Sequence, residues 1–574
     1  MVRMRRVWTR LAVLGLPAAV ACGGQEPAGA DAFSGFCAEV RPRVAEYLER
    51  AAAEHPVPAD PRFGGTAVVG SLAELPGGLN AAISTDANST QYQQFVAMMT
   101  LVRYDADLLP EPYLARSWEV NADTTALTFH LRTDVFWHDG VRTDAGDVAF
   151  TYRTVTNPAT AFPNPAYWDL YDRGPGGVEV VDDSTITFHL RPHADFLDAW
   201  RATAILPEHL LADVPPERLS THPFDSECPV GNGPFAFVEH RPNDRWVFEA
   251  NAAFPAELGG RPYVDRLVHR VIPEQTTLLT ELLTGGIQVY MSAPPDQAKR
   301  IEADPDVDLL TSPHREVNFL AWNARRPQLA DRRVRTALTM GVDRERIVRA
   351  VIGDYGRMAR TTVTPTHWQF DPEAVPEVPY DPDGARALLD EAGWRDRDGD
   401  GVREDAQGRP LTITLKYNQG SRSRQTIAEL VQAQLADIGV DIRPQAVDVP
   451  TFSSQLFTEA KDFDGAVLSW VMDFRLDDRD MFDSNRLDGP FALSGTNNAE
   501  LDRFLDTLQT VVDRAAAKPL WDEYQRLLVE EQPYTFLYFA DRIAGVRKSL
   551  HDVKVDTRGE LVGVHDWWLD PSAR

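Results

Sequence analysis

The stretch from Asp396 to Asp405, DRDGDGVRED, sets Asp396, Asp398 and Asp400 at alternate positions and follows them with Gly401. Carboxylates at positions one, three and five with glycine at six supply the hard oxygen donors and the sharp turn of a calcium loop. Position twelve, where a bidentate glutamate closes such a loop, is Gln407. ARALLDEAGW before the loop is patterned as a helix, but GRPLTITLKY after it alternates as a strand, so the second helix of the motif is missing. The stretch reads as an acidic turn between helix and strand, with a weak structural cation site as the alternative. The chain holds no G-x-S-x-G elbow, no H-E-x-x-H and no P-loop, and its histidines lack metal-ligand spacing. No catalytic residue and no cofactor is expected, and a hydrolase is the rival reading from another class.

The chain has 574 residues, too many for one core, so two or more lobes are expected. A net charge of -28 argues against nucleic acid and against adhesion to anionic lipid by charge alone. The basic MVRMRRVWTR, the apolar LAVLGLPAAVA and then Cys22 read as a secretory signal peptide over residues 1–21. AAVAC is similar to a bacterial lipobox, which implies cleavage before Cys22 and a lipid on its thiol; a signal cut elsewhere with an incidental cysteine is the alternative. Residues 22–60 would then hold the lipidated cysteine, a flexible tether and an N-terminal helix, AEVRPRVAEYLERAAAE. The remaining thiols, Cys37 and Cys228, are candidates to pair in an oxidising compartment.

Hairpins are expected in SWEVNADTTALTFHLRTDVFWHDG, turning at Asn121 to Asp123, and in VEVVDDSTITFHLR, turning at Asp182 and Asp183. TDAGDVAFTYRTV starts a helix with Asp144 at the N-cap and Asp147 placed to reach back. EQTTLLTELLTGGIQVYM is a helix ended by Gly285 and Gly286, followed by a strand. Helices and strands alternate from there to the end, which is α/β.

Taken in order, LVRYDADLLPEPYLARSWEVNADTTALTFHLRTDVFWHDGVRTDAGDVAF, ILPEHLL, GNGPFAF, VNFLAWNARRPQLADRRVRTALTMGVDRERIV, YDPDGARALLDEAGWRDRDGDGVRED and LSWVMDF resemble the peptide- and nickel-binding family of ABC-importer solute receptors. The resemblance runs from about Gly65 to the C-terminus. It implies an α/β fold of two lobes, periplasmic-binding-protein-like (a venus flytrap), with an extra subdomain in lobe I and ligand buried between the lobes by hinge closure. Carried over, lobe I spans 64–271, lobe II spans 272–535 and residues 536–574 return to lobe I, with crossings near HRVIP and PYTFLYFAD. The implied protein is an extracytoplasmic, lipid-anchored monomer in the periplasm or at the cell surface. It hands peptides, most naturally oligopeptides, to permease subunits. On the same scaffold an oligosaccharide, a nickel chelate, haem or an opine is the alternative ligand.

In the family's peptide binders an aspartate in W-x-x-D takes the ligand ammonium. That spacing falls on Trp470, Val471, Met472 and Asp473, so the resemblance implies Asp473 as ammonium partner and Trp470 as an apolar wall. Dipeptide binders clamp the ligand carboxylate with an arginine after the LTITLKY strand. Here Tyr417 is followed by Asn418, with Arg422 and Arg424 close, a departure that favours a longer peptide. Arg475, Asp477, Asp478 and Asp480 replace the family's Asp-Pro pair and read as solvated surface, with the cleft mouth as the alternative; Arg475 is kept as a candidate contact. On the lobe I side, the resemblance points to Glu74 and Asn80 in AELPGGLNAAIS. Asn232 and the FWHDG residues Trp137, His138 and Asp139 read as structural.

Overall fold

The computed structural model describes residues 33, 35–84, 86–163, 165–174, 176–193 and 195–574; the expected signal peptide and Cys22 lie outside them. The N-terminal helix α1 (Phe36–Glu54) comes first. A disulfide joins Cys37, in its first turn, to the buried Cys228. Strand β1 (Thr66–Ser71) then enters the main sheet. Its alternate residues serve opposite faces: Ala67 and Val69 join one core, while Val68 packs against another.

Four strands, β2 (Ala115–Val120), β3 (Ala126–Leu131), β4 (Val178–Asp182) and β5 (Thr185–His189), form a separate antiparallel sheet in the order β2-β3-β5-β4. Both expected hairpins are present in it. Helix α2 (Ala145–Thr156) crosses this subdomain. Its N-terminus is closed reciprocally: Asp144 accepts the Gly146 amide at 2.8 Å and Asp147 accepts the Asp144 amide at 3.0 Å. Below the helix, Trp168 and Trp200 meet edge to face at 4.8 Å, both fully buried. These anchors hold the residues beside them, Tyr167 and Arg201, in the wall of a cavity outside the subdomain core.

Strands β6 (Phe235–Arg241), β7 (Arg245–Ala250) and β8 (Arg266–Val271), helix α3 (Gln275–Thr284), strands β9 (Val289–Tyr290), β10 (Val307–Trp322) and β11 (Thr412–Asn418), helix α4 (Arg422–Ala436), strands β12 (Asp441–Val447) and β13 (Gly465–Val471), helix α5 (Arg514–Glu531) and strand β14 (Tyr534–Arg547) complete the frame. The main sheet runs β12-β11-β13-β10-β14-β9-β1-β8-β7-β6. Its two ends carry different cores. Leu278, Leu282 and Ile287 pack with Val68 and Leu72 at the β1 end. Ile413, Leu415 and Val431 pack on one side of the β11–β13 end, and Leu468, Tyr524 and Leu528 on the other.

Among the described residues only β10 and β14 belong to both ends. Val307 to Pro313 pair with Arg547 to Asp541, and Val317 to Ala321 pair with Phe539 to Tyr534. Between these runs the register slips: Pro313 faces Asp541 and Val317 faces Phe539, so His314, Arg315 and Glu316 stand opposite Ala540 alone. On β10 the slip falls at residues 314–316, well beyond HRVIP. HRVIP belongs to β8, paired with β1 and β7, and residues 272–312 pack on the β1 end. On β14 the same slip falls at Ala540, within PYTFLYFAD.

Candidate functional site

The two ends of the sheet face each other across a cleft. Two cavities in it, of about 210 and 370 Å³, share Tyr167, Val471 and Asp473 in their walls. Asp473 follows β13, and its position is fixed through the backbone. The Met472 amide donates to the Arg315 carbonyl at 2.9 Å, and His367 Nε2 donates to the Asp473 carbonyl at 2.8 Å. The Asp473 side chain is open to the cavity while protein surrounds it. Burial raises its carboxyl above the ordinary aspartate value; the Tyr167 hydroxyl on the opposite side and the Arg315 cation work against that rise. His367 is held neutral at a pKa of about 4 by burial, with Nδ1 facing the Thr364 amide at 3.1 Å.

Phe474 reaches from the β13 side into the β1 side. Its ring lies 4.4 Å from the Arg201 guanidinium and 3.7 Å from that of Arg315, and Tyr104 meets it edge-on at 5.8 Å. Arg201 is paired with Asp198 at 3.1 Å. Arg542, from β14, is paired with the fully buried Glu560, which Gln91 and Ser292 also bond at 3.0 Å. Arg558 is paired with Asp556 at 2.6 Å. Arg315 donates from Nη1 to the Met472 carbonyl, while its Nε is buried without a hydrogen-bond partner.

The structure brings Trp470, Val471, Met472 and Asp473 together at the cleft, with Arg475 on the larger cavity. Trp470 packs against Phe457 and Phe491, each at 5.6 Å. Tyr417 packs in the core beside α4, and Asn418 accepts from Arg424, which also bonds Ser469 at 3.1 Å; neither Tyr417 nor Asn418 lines the two cavities. Glu74 is turned away from the cleft into the β6–β7 hairpin, where it accepts from Trp246 Nε1, from His240 and, at 2.7 Å, from the Asn243 amide. Asn80 is fully buried, bonding the Leu219 carbonyl at 3.3 Å and the Ala82 amide at 3.1 Å. Their loop reaches the cleft through Ala81 and Ser84 instead.

Of the charged run after Asp473, Asp480 is exposed and lines the larger cavity with Arg475 and Asp477, whereas Arg475 and Asp478 are buried and not solvated surface. Asp478 is fully buried, accepting from Thr362 and, at 2.7 Å, from Tyr524, and burial pushes its carboxyl up to about 6. Arg475 is buried against Asp477 at 3.3 Å and Gln509 at 3.0 Å. Asn232 and the FWHDG residues are structural: Asn232 takes the Met99 amide at 2.8 Å, and Trp137 donates to Asp147 at 2.9 Å. In the acidic loop, ligand oxygens of Asp396, Asp398, Asp400 and Glu404 lie within 4.8 Å of one another, and each of these side chains accepts a loop amide. The loop's own amides thus satisfy part of each carboxylate. Tyr167, Arg201, Arg315 and Phe474 are the cleft residues that sequence reasoning missed.

The profile of bacterial extracellular solute-binding proteins, family 5 Middle, matches residues 110–489. The oligopeptide-binding protein AppA of Bacillus subtilis is 30% identical over 513 residues, 89% of this chain and 92% of that protein. Its structure, solved in complex with a nonapeptide, superposes with a TM-score of 0.77 over 89% of this chain and 100% of that one. The dipeptide-binding protein of Escherichia coli is 28% identical over 478 residues, 78% of this chain and 84% of that protein. NikZ from Campylobacter jejuni, solved in complex with Ni(L-His), superposes with a TM-score of 0.75 at 25% identity, over 88% of this chain and 99% of that one.

Proposed function

The chain belongs to the bacterial extracellular solute-binding proteins of family 5, and from that premise we propose that it is the peptide-binding receptor of an ABC importer, taking oligopeptides between its lobes by hinge closure. The family is one of solute-binding proteins, not enzymes, and the fold is the two-lobed periplasmic-binding-protein fold with an extra subdomain. The observation that carries the peptide reading is the position of Asp473. Its carboxylate stands in the cleft between the lobes, in the W-x-x-D spacing, without an ion-paired cation within 4.0 Å among the described residues. A carboxylate that faces the cavity and has no cation of its own offers an arriving ammonium a partner of opposite charge. AppA, 30% identical, is an oligopeptide-binding protein by name, and no arginine at the Asn418 position restricts the ligand to a dipeptide.

Closure would bend the β10–β14 pair at the slip in register beside Arg315, the one place where the chain passes between the lobes. The first lobe in this reading comprises residues 64–313 and 541–574, and the second comprises 317–539. A lipid on Cys22 would hold a monomeric receptor at the outer side of a membrane, and permease subunits would take the ligand onward. Among the described residues no helix is long and apolar enough to cross a membrane.

The test is native mass spectrometry of purified protein, followed by denaturation and identification of what is released. A ladder of short peptides is the expected result. A metal chelate or haem mass would overturn the peptide reading and leave the receptor role, and an N-terminal mass without acyl chains would remove the lipid anchor.

A further inference from the structure

Five guanidinium groups line the two cleft cavities: those of Arg201, Arg315, Arg475, Arg542 and Arg558. Four of them are ion-paired within the protein itself, with Asp198, Asp477 (which Arg479 shares), Glu560 and Asp556. Arg315 has no carboxylate within 4.0 Å among the described residues. Its Nη1 is used by the Met472 carbonyl, its face by the Phe474 ring and its Nε by nothing. The residue sits in the bulge of the crossing strand, a distortion that re-aims side chains out of the ladder. Burial, with Arg201 and Arg542 adding to it and Asp473 opposing it, pulls its pKa down to about 10.

Arg315 and Asp473 are therefore two opposite charges in one cavity, close enough to act on each other but not in contact. Joined directly, they would neutralise each other; held apart, each is best compensated by the complementary end of a dipolar ligand.

We propose that Arg315 is the anion-recognising residue of this cleft, selecting ligands that carry a carboxylate close to the ammonium taken by Asp473. The assignment rests on the peptide reading and narrows it. A carboxylate at that place comes either from an acidic side chain at the start of a peptide or from the C-terminus of a very short one.

Calorimetry of the purified protein with four probes separates these sources: Glu-Ala-Ala-Ala against Gln-Ala-Ala-Ala, and Ala-Ala against its C-terminal amide. The expected result is that the charged member of at least one pair binds about 10- to 100-fold tighter. Preference in the first pair assigns the side chain, and preference in the second assigns the C-terminus. Arg315→Gln is expected to erase the preference and Arg315→Lys to retain part of it. The readout is the ratio within a pair, because a merely structural role would weaken both members alike. Binding of all four without preference would overturn the proposal and leave the peptide receptor standing, and this arm needs no variant to fold. A preference unchanged in Arg315→Gln would take it away from Arg315. Failure of all four probes to bind the wild-type protein would overturn the peptide reading and this proposal with it.

Discussion

Arg201 and Phe474 face each other across the cleft, guanidinium carbon 4.4 Å from ring centroid, one held by the first lobe's aromatic subdomain and the other carried on the loop after β13. Each lobe thus contributes half of a contact that exists only while the lobes are together. Asp473, next in sequence to Phe474, meets the Tyr167 hydroxyl in the same way. The residue that would take the ligand ammonium and the residue that reports closure are neighbours in the chain.

Truncating the ring tests that coupling. Phe474→Ala should destabilise the closed form by about 1–2 kcal/mol, because Arg315 loses its aromatic partner and Arg201 keeps only Tyr104. Small-angle scattering with saturating peptide should show a larger radius of gyration than for the wild type. Phe474→Leu should fall between the two. Equal radii for all three would mean that the contact does not help to hold the lobes together.

Asp473→Ala should weaken peptide binding by about 3 kcal/mol or more in calorimetry, with the melting temperature of the free protein little changed. Because burial raises the Asp473 carboxyl, affinity should be full at neutral pH and fall on acidification. The fall should begin at a higher pH than for an ordinary aspartate. An affinity unchanged by the substitution would take Asp473 out of the site.

His367 supplies a stability effect of defined sign. Its pKa is lowered in the fold to about 4, from an ordinary value of 6.5, mainly by burial, with Arg315 also lowering it and the Asp473 carbonyl opposing. A group lowered by folding contributes stability that is complete above its unfolded value and is lost as pH falls toward its folded one. Between pH 6.5 and 4 it should account for about 2–3 kcal/mol of destabilisation. His367→Gln should start less stable and lose less over that range in thermal melts. Parallel curves for the two proteins would contradict this.

Glu74 separates a structural carboxylate from a ligand-binding one. Glu74→Ala leaves the Trp246 indole, the His240 ring and the Asn243 amide without their acceptor. A cost of about 1–3 kcal/mol in urea unfolding is expected, with peptide affinity unchanged. A large loss of affinity at unchanged stability would return Glu74 to the cleft.

The covalent tie between α1 and the β6 neighbourhood is tested by Cys37→Ser. The bond closes a sequence separation of 191 residues, and its loss should cost about 2–5 kcal/mol. Alkylation of both thiols in unreduced, denatured protein would show that no such bond forms.

How far these arrangements were legible in the sequence follows from their range. W-x-x-D is local to one strand end, so Trp470 to Asp473 could be read in order, as could the capping box of Asp144 and Asp147 and the two hairpins. The partners of Asp473 could not: Tyr167, Arg201 and Arg315 come from three distant segments, and Arg315 is aimed by a bulge that is defined only once β10 is paired with β14. Glu74 and Asn80 were read as cleft residues because a loop's position can be inferred from pattern while the direction of its side chains cannot. The run from Arg475 to Asp480 looked solvated because its partners, Thr362, Gln509 and Tyr524, lie far away along the chain. The alternation at HRVIP shows that a strand is there, not which lobe it joins.

The single passage of β10 and β14 between the lobes also sets an order of events as the chain emerges N-terminus first. In the lobe division proposed above, residues 317–539 include every strand of the second lobe in one continuous run, so that lobe can close as soon as they are out. The first lobe began earlier but waits longer. Its β9 has β1 beside it but lacks its second neighbour until Gly545 and Val546 arrive, and its core lacks Leu561, Val564, Trp567 and Leu569 until the last few residues. The part made first is finished last, and a chain cut short near its end would carry a formed second lobe beside a first lobe open along one edge.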